Sequence, residues 1–147
     1  MVHSFRVWLI GASLLLSACG GGFVYYSDFD FDDPGEAHAF FVFRLRGHGP
    51  EQEFRVLARS AEFVRGARAE LRLPPSERRS TVEGQVVPGS AGFNAPWSWH
   101  LEDVRLIHPL PQAFCDGLPT EVQARLTEWV ERIQRFCPSA AFVWSEG

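Results

Sequence analysis

The stretch from Trp97 to Ile107 constrains the fold of this chain more than any other. Trp97, Trp99 and Leu101 alternate with polar residues, which is the two-residue period of a strand with one buried face. The apolar phase shifts at Glu102–Asp103, and this shift predicts a β-bulge that returns the later residues to the buried face. Such a strand requires a sheet around it and a hydrophobic layer against its buried side.

Other segments carry strand signals of the same kind. Residues 38–46 and 53–59 are rich in Phe and Val and flank a Gly-Pro turn, so they predict a β-hairpin. Residues 81–88 predict a further strand, in which Gly84 indicates a bulge or a close approach of another backbone. A last short strand is predicted at residues 140–144.

Two amphipathic helices are predicted between these strands. The first begins after the N-cap Ser60 and ends before Pro74-Pro75. The second is predicted over 120–135, with Thr120 and Gln123 as a capping box. Its apolar stripe consists of Val122, Leu126, Trp129, Val130 and Ile133.

From residue 53 onward the predicted order is β-α-β-β-α-β. This order predicts the α+β class, as a two-layer ferredoxin-like split βαβ with both helices on one face of an antiparallel sheet. The strand at 38–46 is then an added N-terminal edge. A chain of 147 residues has room for one such domain, which we place at residues 38–147.

The N-terminal segment has the pattern of a targeting signal. Val7–Leu16 is almost wholly apolar but too short to span a membrane. It ends in Leu16-Ser17-Ala18-Cys19, which resembles the lipobox of bacterial lipoproteins. The resemblance implies that residues 1–18 are a signal peptide and that Cys19 is lipidated. The alternatives are an ordinary secretory signal with an incidental Cys, or a buried core helix.

Lipidation of Cys19 implies an anchor in the bacterial cell envelope, on the outer membrane or the periplasmic face. Residues 19–37 then form an acidic tether, with five acids between Asp28 and Glu36. The alternating Asp residues suggest a calcium loop, but the required Gly and the final Glu are missing.

Charge and composition exclude several partners. All 14 basic residues are Arg, and they stand against 18 acids, giving a net charge of −4. This balance argues against a nucleic-acid partner. The histidines show no close metal-ligand spacing. We therefore expect no metal and no cofactor.

Cys115 and Cys137 form either a disulfide or two buried free thiols. An oxidising compartment favours the bridge. A helix over 120–135 is about 24 Å long. The extended chain from Cys115 to Pro119 spans at most about 14 Å, so it cannot reach back along the whole helix. A bridge therefore requires the helix to end early or the chain to fold back after Phe136.

The run Asn94-Ala95-Pro96-Trp97-Ser98-Trp99-His100-Leu101 is the most distinctive motif. Further matching positions are Phe54–Leu57, Ala67-Arg68, Gly84, Cys115-Asp116, Val122 and Leu126. Over about 53–145 the chain resembles the domain at the N-terminus of an amoebal calmodulin-binding protein. The resemblance implies a small domain without an established catalytic activity. No residues match a calmodulin-binding element, so calmodulin binding is not transferred. At Phe142–Ser145 the chain departs from the family pattern, and Cys137 has no family counterpart.

The same motif supplies the candidate site residues. Ser98 and His100 share the strand face opposite the helices, and Asp116 can orient His100, so a hydrolase is one hypothesis. No nucleophile elbow accompanies them. The alternatives are a structural network, with His100 bonded to Asp116 or Asn94, and a ligand-recognition surface. The ligand-binding candidates are Asn94, Trp97, Ser98, His100 and Asp116.

Three functional classes follow from these observations. The first is a membrane-anchored envelope lipoprotein with a non-enzymatic domain that binds a protein or ligand. The second is a small hydrolase that uses His100 with Ser98 and Asp116. The third is a protein inhibitor or chaperone-like lipoprotein, because exposed edges of small sheets can accept a partner's strand.

Overall fold

A computed structural model describes residues 38–147 of the chain. The predicted signal peptide (1–18), the predicted tether (19–37) and Cys19 lie outside these residues. The strands of the described part are β1 (Ala39–Leu45), β2 (Phe54–Ala58), β3 (Thr81–Pro88), β4 (Trp99–Ile107), β5 (Arg135–Phe136) and β6 (Ala141–Glu146). Its helices are α1 (Ala61–Leu71), α2 (Pro119–Ala124), α3 (Leu126–Glu128) and a π-helical turn at Trp129–Ile133, with 3₁₀ turns at Pro50–Gln52 and Pro75–Glu77.

The strands form two three-stranded antiparallel sheets, in the orders β2-β1-β6 and β4-β3-β5. The α+β class is confirmed. The expected single ferredoxin-like sheet is replaced by two sheets, and the two-residue strand β5 was not predicted. We call the sheet that contains β1 the first sheet and the sheet that contains β3 the second sheet.

Strand β1 lies in the middle of the first sheet, not at an added edge as expected. It pairs with β2 through Val42 and Arg55 and with β6 through Arg44 and Phe142. Its alternate residues Phe41 and Phe43 are fully buried. A strand with this much apolar surface is best placed where neighbours cover both of its edges.

Helix α1 begins as predicted. The Ser60 hydroxyl accepts a hydrogen bond from the Phe63 N–H at 3.1 Å, which satisfies one free donor of the first turn. Phe63 then packs on the first sheet, with ring centroids 5.9 Å from Phe41 and 6.5 Å from Phe43. This contact places α1 over the buried face of that sheet.

The β3–β4 pair contains the predicted bulge. The register shifts between Glu83 and Gln85, and Asp103 adopts a positive φ of 47°. A Cβ built on Gly84 would lie 2.9 Å from Cγ1 of Val104 and 3.1 Å from the Glu102 carbonyl oxygen. Gly84 is therefore the close approach that the sequence indicated.

The second helix is shorter and less regular than predicted. It begins at Pro119, and the Glu121 carboxylate accepts from the Leu118 N–H at 2.8 Å, so the predicted Thr120–Gln123 capping box is wrong. Proline favours this first helical position because its missing N–H would be unpaired there. The helix ends in a π-type hydrogen bond from the Gln134 N–H to the Trp129 carbonyl.

The core contains a cluster of aromatic rings drawn from both sheets and the second helical region. Phe136 is its centre, with ring centroids 5.7 Å from Phe54, 5.6 Å from Trp99 and 5.5 Å from Trp129. All four rings are buried. Their packing fixes the position of β4 relative to β2, and this determines the geometry of the site.

Candidate functional site

Asn94 joins the edges of the two sheets. Its Oδ1 accepts a hydrogen bond from the Arg55 N–H of β2 at 2.7 Å, and its Nδ2 donates to the Trp99 carbonyl of β4 at 2.8 Å. The side chain is 1% exposed. An amide side chain can accept and donate as a peptide group does. Asn94 thus bridges two strands that form no ladder with each other.

Trp97 binds the edge of β2 next to Asn94. Its indole Nε1 donates to the Glu53 carbonyl at 2.7 Å, and its ring lies 5.9 Å from the ring of Trp99. The two tryptophans of the motif therefore differ in role. Trp97 ties the loop to β2, whereas Trp99 belongs to the core.

His100 is held between a carbonyl and a carboxylate. Its Nδ1 lies 2.6 Å from the Gly89 carbonyl oxygen, and its Nε2 lies 3.2 Å from Oε1 of Glu102. A carbonyl oxygen only accepts, so Nδ1 carries the hydrogen in this bond. Nε2 donates to Glu102 when the ring is protonated at both nitrogens. The ring of Phe93 packs edge-on against the imidazole, with centroids 5.7 Å apart.

Asp116 does not orient His100, so that expectation is wrong. Its carboxylate accepts from the N–H groups of Gln112 (3.2 Å), Gly117 (2.9 Å) and Ser139 (2.8 Å), and from the Ser139 hydroxyl (2.9 Å). Burial raises the pKa of Asp116, but these hydrogen bonds outweigh it and hold the pKa below its ordinary value. Asp116 therefore organises a loop whose N–H groups need an acceptor.

Ser98 is likewise not joined to His100. It is exposed, and its backbone N–H donates to Oε1 of Gln123 at 2.8 Å. Within the described residues its hydroxyl forms no hydrogen bond. Ser98, His100 and Asp116 thus have separate partners and do not form a hydrogen-bonded triad. The alternative bonds from His100 to Asp116 or Asn94 are also replaced, by those to Gly89 and Glu102.

Cys115 and Cys137 are joined in a disulfide, with Cα atoms 5.2 Å apart. The sequence required the helix to end early for this bridge to form, and the helical region does end at Ile133. Gln134 then adopts a positive φ of 68° and turns the chain back. The Cys137 N–H also donates to the Cys115 carbonyl at 2.7 Å. The bridge and Asp116 together fix the loop before α2 to the chain before β6.

An open cleft of about 570 Å³ lies between the end of β2 and the edge of β4. We call it the β2–β4 cleft. The exposed residue Ala91 is part of its lining. Its walls include Leu57, Arg59, Phe93, His100, Leu101 and Asp103. This volume falls within the range of about 300–1,000 Å³ that is typical of ligand sites.

The cleft unites His100 with residues that sequence reasoning did not select. Leu57 is a half-buried residue of β2, Arg59 follows the end of that strand, and Phe93 lies in the turn before the motif. The sequence signal for Leu57 was present, because it is an apolar residue on the face of the predicted strand 53–59 opposite to Phe54, Val56 and Ala58. No local signal brings β2 next to β4, since this approach joins strands of two different sheets.

Two features are absent from the described part of the chain. Between residues 38 and 147, no three His, Cys, Asp or Glu side chains are grouped so that they could hold a metal ion. Over the same residues, no helix has the length and apolar character needed to cross a membrane.

The fold and site define a two-layer α+β domain with a disulfide-bonded corner and an open cleft between two strand edges. The chain belongs to the BP-74 N-terminal domain family, whose sequence profile matches residues 37–147. This match confirms the resemblance to a calmodulin-binding-protein domain that was drawn from the motif at Asn94–Leu101. No curated protein and no solved structure matches the chain.

Proposed function

We propose that the chain is a lipid-anchored protein of the bacterial cell envelope whose α+β domain binds another protein or a ligand without catalysing a reaction. The anchor rests on the lipobox at Leu16–Cys19. Several acyl chains on Cys19 would give stable attachment to the outer membrane or the periplasmic face. The disulfide supports an oxidising compartment.

The observation that carries the binding function is the β2–β4 cleft. It is open, has the volume of a ligand site and combines apolar walls with polar side chains. Of the three residues of the hydrolase hypothesis, His100 and Asp116 are used in structural hydrogen bonds, and Ser98 is bonded to neither of them. The arrangement thus supports recognition at the cleft over acyl transfer by Ser98, His100 and Asp116.

Site-specific photo-crosslinking tests the binding function. A benzophenone amino acid at Ala91, an exposed residue that lines the cleft, is compared with the same residue at Ser76 in the exposed turn Pro75–Glu77. In the native envelope we expect mass spectrometry to identify one reproducible partner crosslinked from Ala91 and absent from Ser76. The same proteins from both positions, or none from Ala91, would contradict the proposal.

The mass of the mature N-terminus tests the anchor separately. We expect a chain that begins at Cys19 and carries a diacylglyceryl group, with or without a further acyl chain. Cys19→Ala is expected to leave residues 1–18 attached and to release the protein from the acylated fraction. An unmodified Met1 start or an unmodified Cys19 would contradict the lipoprotein assignment.

A further inference from the structure

The loop between β4 and α2 exposes two large apolar side chains. We call residues 108–118 the Cys115 loop. Phe114 is 75% exposed and Leu110 is 56% exposed, the highest values for large hydrophobic residues among those that the structure describes. A β-turn in which the Ala113 N–H donates to the Leu110 carbonyl at 3.1 Å keeps the two positions close in the chain's path. Apolar surface left in water is unfavourable, so a partner that covers this pair would stabilise the loop.

The Cys115 loop is fixed to the rest of the domain by covalent and polar contacts. The disulfide joins Cys115 to Cys137. The Asp116 carboxylate accepts hydrogen bonds from the Gln112 N–H at 3.2 Å and from the Ser139 N–H at 2.8 Å. These contacts hold the loop in the conformation that directs its apolar pair to the solvent. The pair is therefore presented on a rigid support.

The tip of the Cys115 loop (residues 109–114) is compatible with a medium of low polarity. It contains no ionisable side chain. Pro109 and Pro111 have no N–H group, and the N–H groups of Gln112 and Ala113 are already bonded to Asp116 and Leu110. The tip can therefore leave water without burying a charge and without leaving these donors unpaired.

The apolar area at the tip is small for a protein interface. Phe114 and Leu110 together expose at most about 300 Å², whereas a stable protein interface buries about 800 Å² on each partner. A lipid bilayer needs no complementary shape around an apolar tip, and Phe and Leu are side chains that enter its interface as far as the acyl chains. The chemistry of the tip thus favours a lipid surface.

The segment before β1 is long enough for this contact. Strand β1 begins where Ala39 pairs with Ala58, and the Cys115 loop lies toward its other end, where the Arg46 N–H donates to the Ala140 carbonyl. Strand β1 has seven residues and is about 24 Å long. Residues 19–37 can extend to about 60 Å. A lipid anchor at the start of this segment therefore leaves the far end of the domain free to reach the same membrane.

We propose that the Cys115 loop inserts shallowly into the phospholipid membrane that carries the anchor, with Phe114 and Leu110 at the boundary between headgroups and acyl chains. Only side chains of the tip enter, because the backbone of an irregular loop is not tolerated in the hydrocarbon region. The insertion gives the domain a second membrane contact and sets its orientation on the surface. This inference rests on the lipid anchor of the proposed function and adds the side of the domain that faces the lipid.

Photo-crosslinking to lipid tests the insertion. The full acylated chain, with a benzophenone amino acid in place of Phe114, is reconstituted into vesicles of phosphatidylethanolamine and phosphatidylglycerol and irradiated. The control carries the same amino acid at Glu62, an exposed residue in the first turn of α1. Glu62 follows closely on Ala58, which pairs with the first residue of β1, so the anchor alone would favour position 62. We expect mass spectrometry to detect phospholipid adducts at least tenfold more often from position 114.

A matched pair of variants tests the apolar character of the tip. With the benzophenone amino acid at Leu110, Phe114→Glu is expected to reduce the lipid adducts at least tenfold, because a charge is costly at the acyl chains. Ala69→Glu adds the same charge at an exposed position of α1 and should leave the adducts unchanged. Circular dichroism verifies that both variants fold.

Equal numbers of adducts from positions 114 and 62, or an unchanged number in Phe114→Glu, would overturn the inference. A protein adduct in place of a lipid adduct, when the chain with benzophenone at position 114 is irradiated in the native envelope, would also overturn it. The proposed function survives each of these results if Cys19 is acylated and photo-crosslinking from Ala91 still identifies a partner.

Discussion

Replacing Asn94 by Ala is expected to destabilise the domain more than any exposed substitution in the motif. The change removes the acceptor for the Arg55 N–H and the donor for the Trp99 carbonyl. The bond to the Trp99 carbonyl is buried and the bond from the Arg55 N–H is partly buried, while Asn94 itself is 1% exposed. The two sheets thereby lose the polar connection between their edges.

The size of the destabilisation follows from the two backbone groups that lose their hydrogen-bond partner. Each buried polar group left without a partner costs about 1–3 kcal/mol. The smaller Ala side chain admits some solvent to the Arg55 N–H, which is only partly buried, so the lower half of the combined range applies. We expect a loss of about 3 kcal/mol in the free energy of unfolding. For a domain of this size, such a loss lowers Tm by on the order of 10 °C.

Urea unfolding followed by tryptophan fluorescence measures the effect, and the domain at residues 38–147 offers four tryptophans as reporters, at positions 97, 99, 129 and 144. The midpoint should fall while the slope with urea stays unchanged, because the surface exposed on unfolding is the same. Ser98→Ala is the matched control. Its hydroxyl is exposed and forms no hydrogen bond within the described residues, so it should change stability by less than about 0.5 kcal/mol.

Asn94→Asp adds a second test of the same reasoning. The carboxylate keeps an acceptor for the Arg55 N–H but cannot donate to the Trp99 carbonyl. Protonation restores a donor, so the deficit relative to the native protein should narrow as the pH falls. A loss below about 0.5 kcal/mol in Asn94→Ala would refute the role assigned to the bridge.

Three further predictions use the same unfolding assay. Replacing both Cys115 and Cys137 by Ser should lower the free energy of unfolding by about 3 kcal/mol, since the bridge spans a sequence separation of 22. An unchanged urea midpoint of the native protein after reduction would contradict this. His100→Ala should lower stability by about 1–3 kcal/mol; unchanged stability with loss of p-nitrophenyl acetate hydrolysis would favour the enzyme class. The hydrogen bond from Arg105 of β4 is the largest cause that lowers the pKa of Glu83. Burial of Glu83 opposes this effect, and a hydrogen bond from Arg135 of β5 adds to it. The contribution of Glu83 is thus present above the ordinary carboxyl pKa and lost as the pH falls through the lowered value. Glu83→Gln should lower the free energy of unfolding at pH 7 and leave it equal to that of the native protein in strong acid. A loss that persists in acid, or an equal loss in the exposed control Glu77→Gln, would exclude this cause.

Most of the elements were predictable from the sequence because their signals are local. The Ser60 cap, the strand at 81–88 and the bulge at Glu102–Asp103 each depend on a few neighbouring residues, and the structure places them as predicted. The second helix was predicted too long. Its apolar stripe continues to Ile133, but the backbone adopts a π-helical turn and reverses at Gln134.

The sheet topology depended on long-range pairing that no local pattern encodes. The β-α-β-β-α-β order is compatible with one sheet, yet β6 pairs with β1, and Asn94 bridges the edges of two separate sheets. The site was therefore half predictable. The motif identified Asn94, Trp97 and His100, whereas the pairing of His100 with Gly89 and the cleft beside Leu57 depend on that meeting of sheets.

Amide hydrogen exchange of the full chain, followed by nuclear magnetic resonance, tests most directly whether Asn94 bridges the edges of the two sheets. In the native protein we expect slow exchange for Arg55, which Asn94 binds, and for Val56 and His100, which face their own sheets. In Asn94→Ala we expect Arg55 to exchange at least a hundredfold faster relative to Val56. An unchanged ratio of the Arg55 and Val56 exchange rates would contradict the bridge on which the candidate site is built.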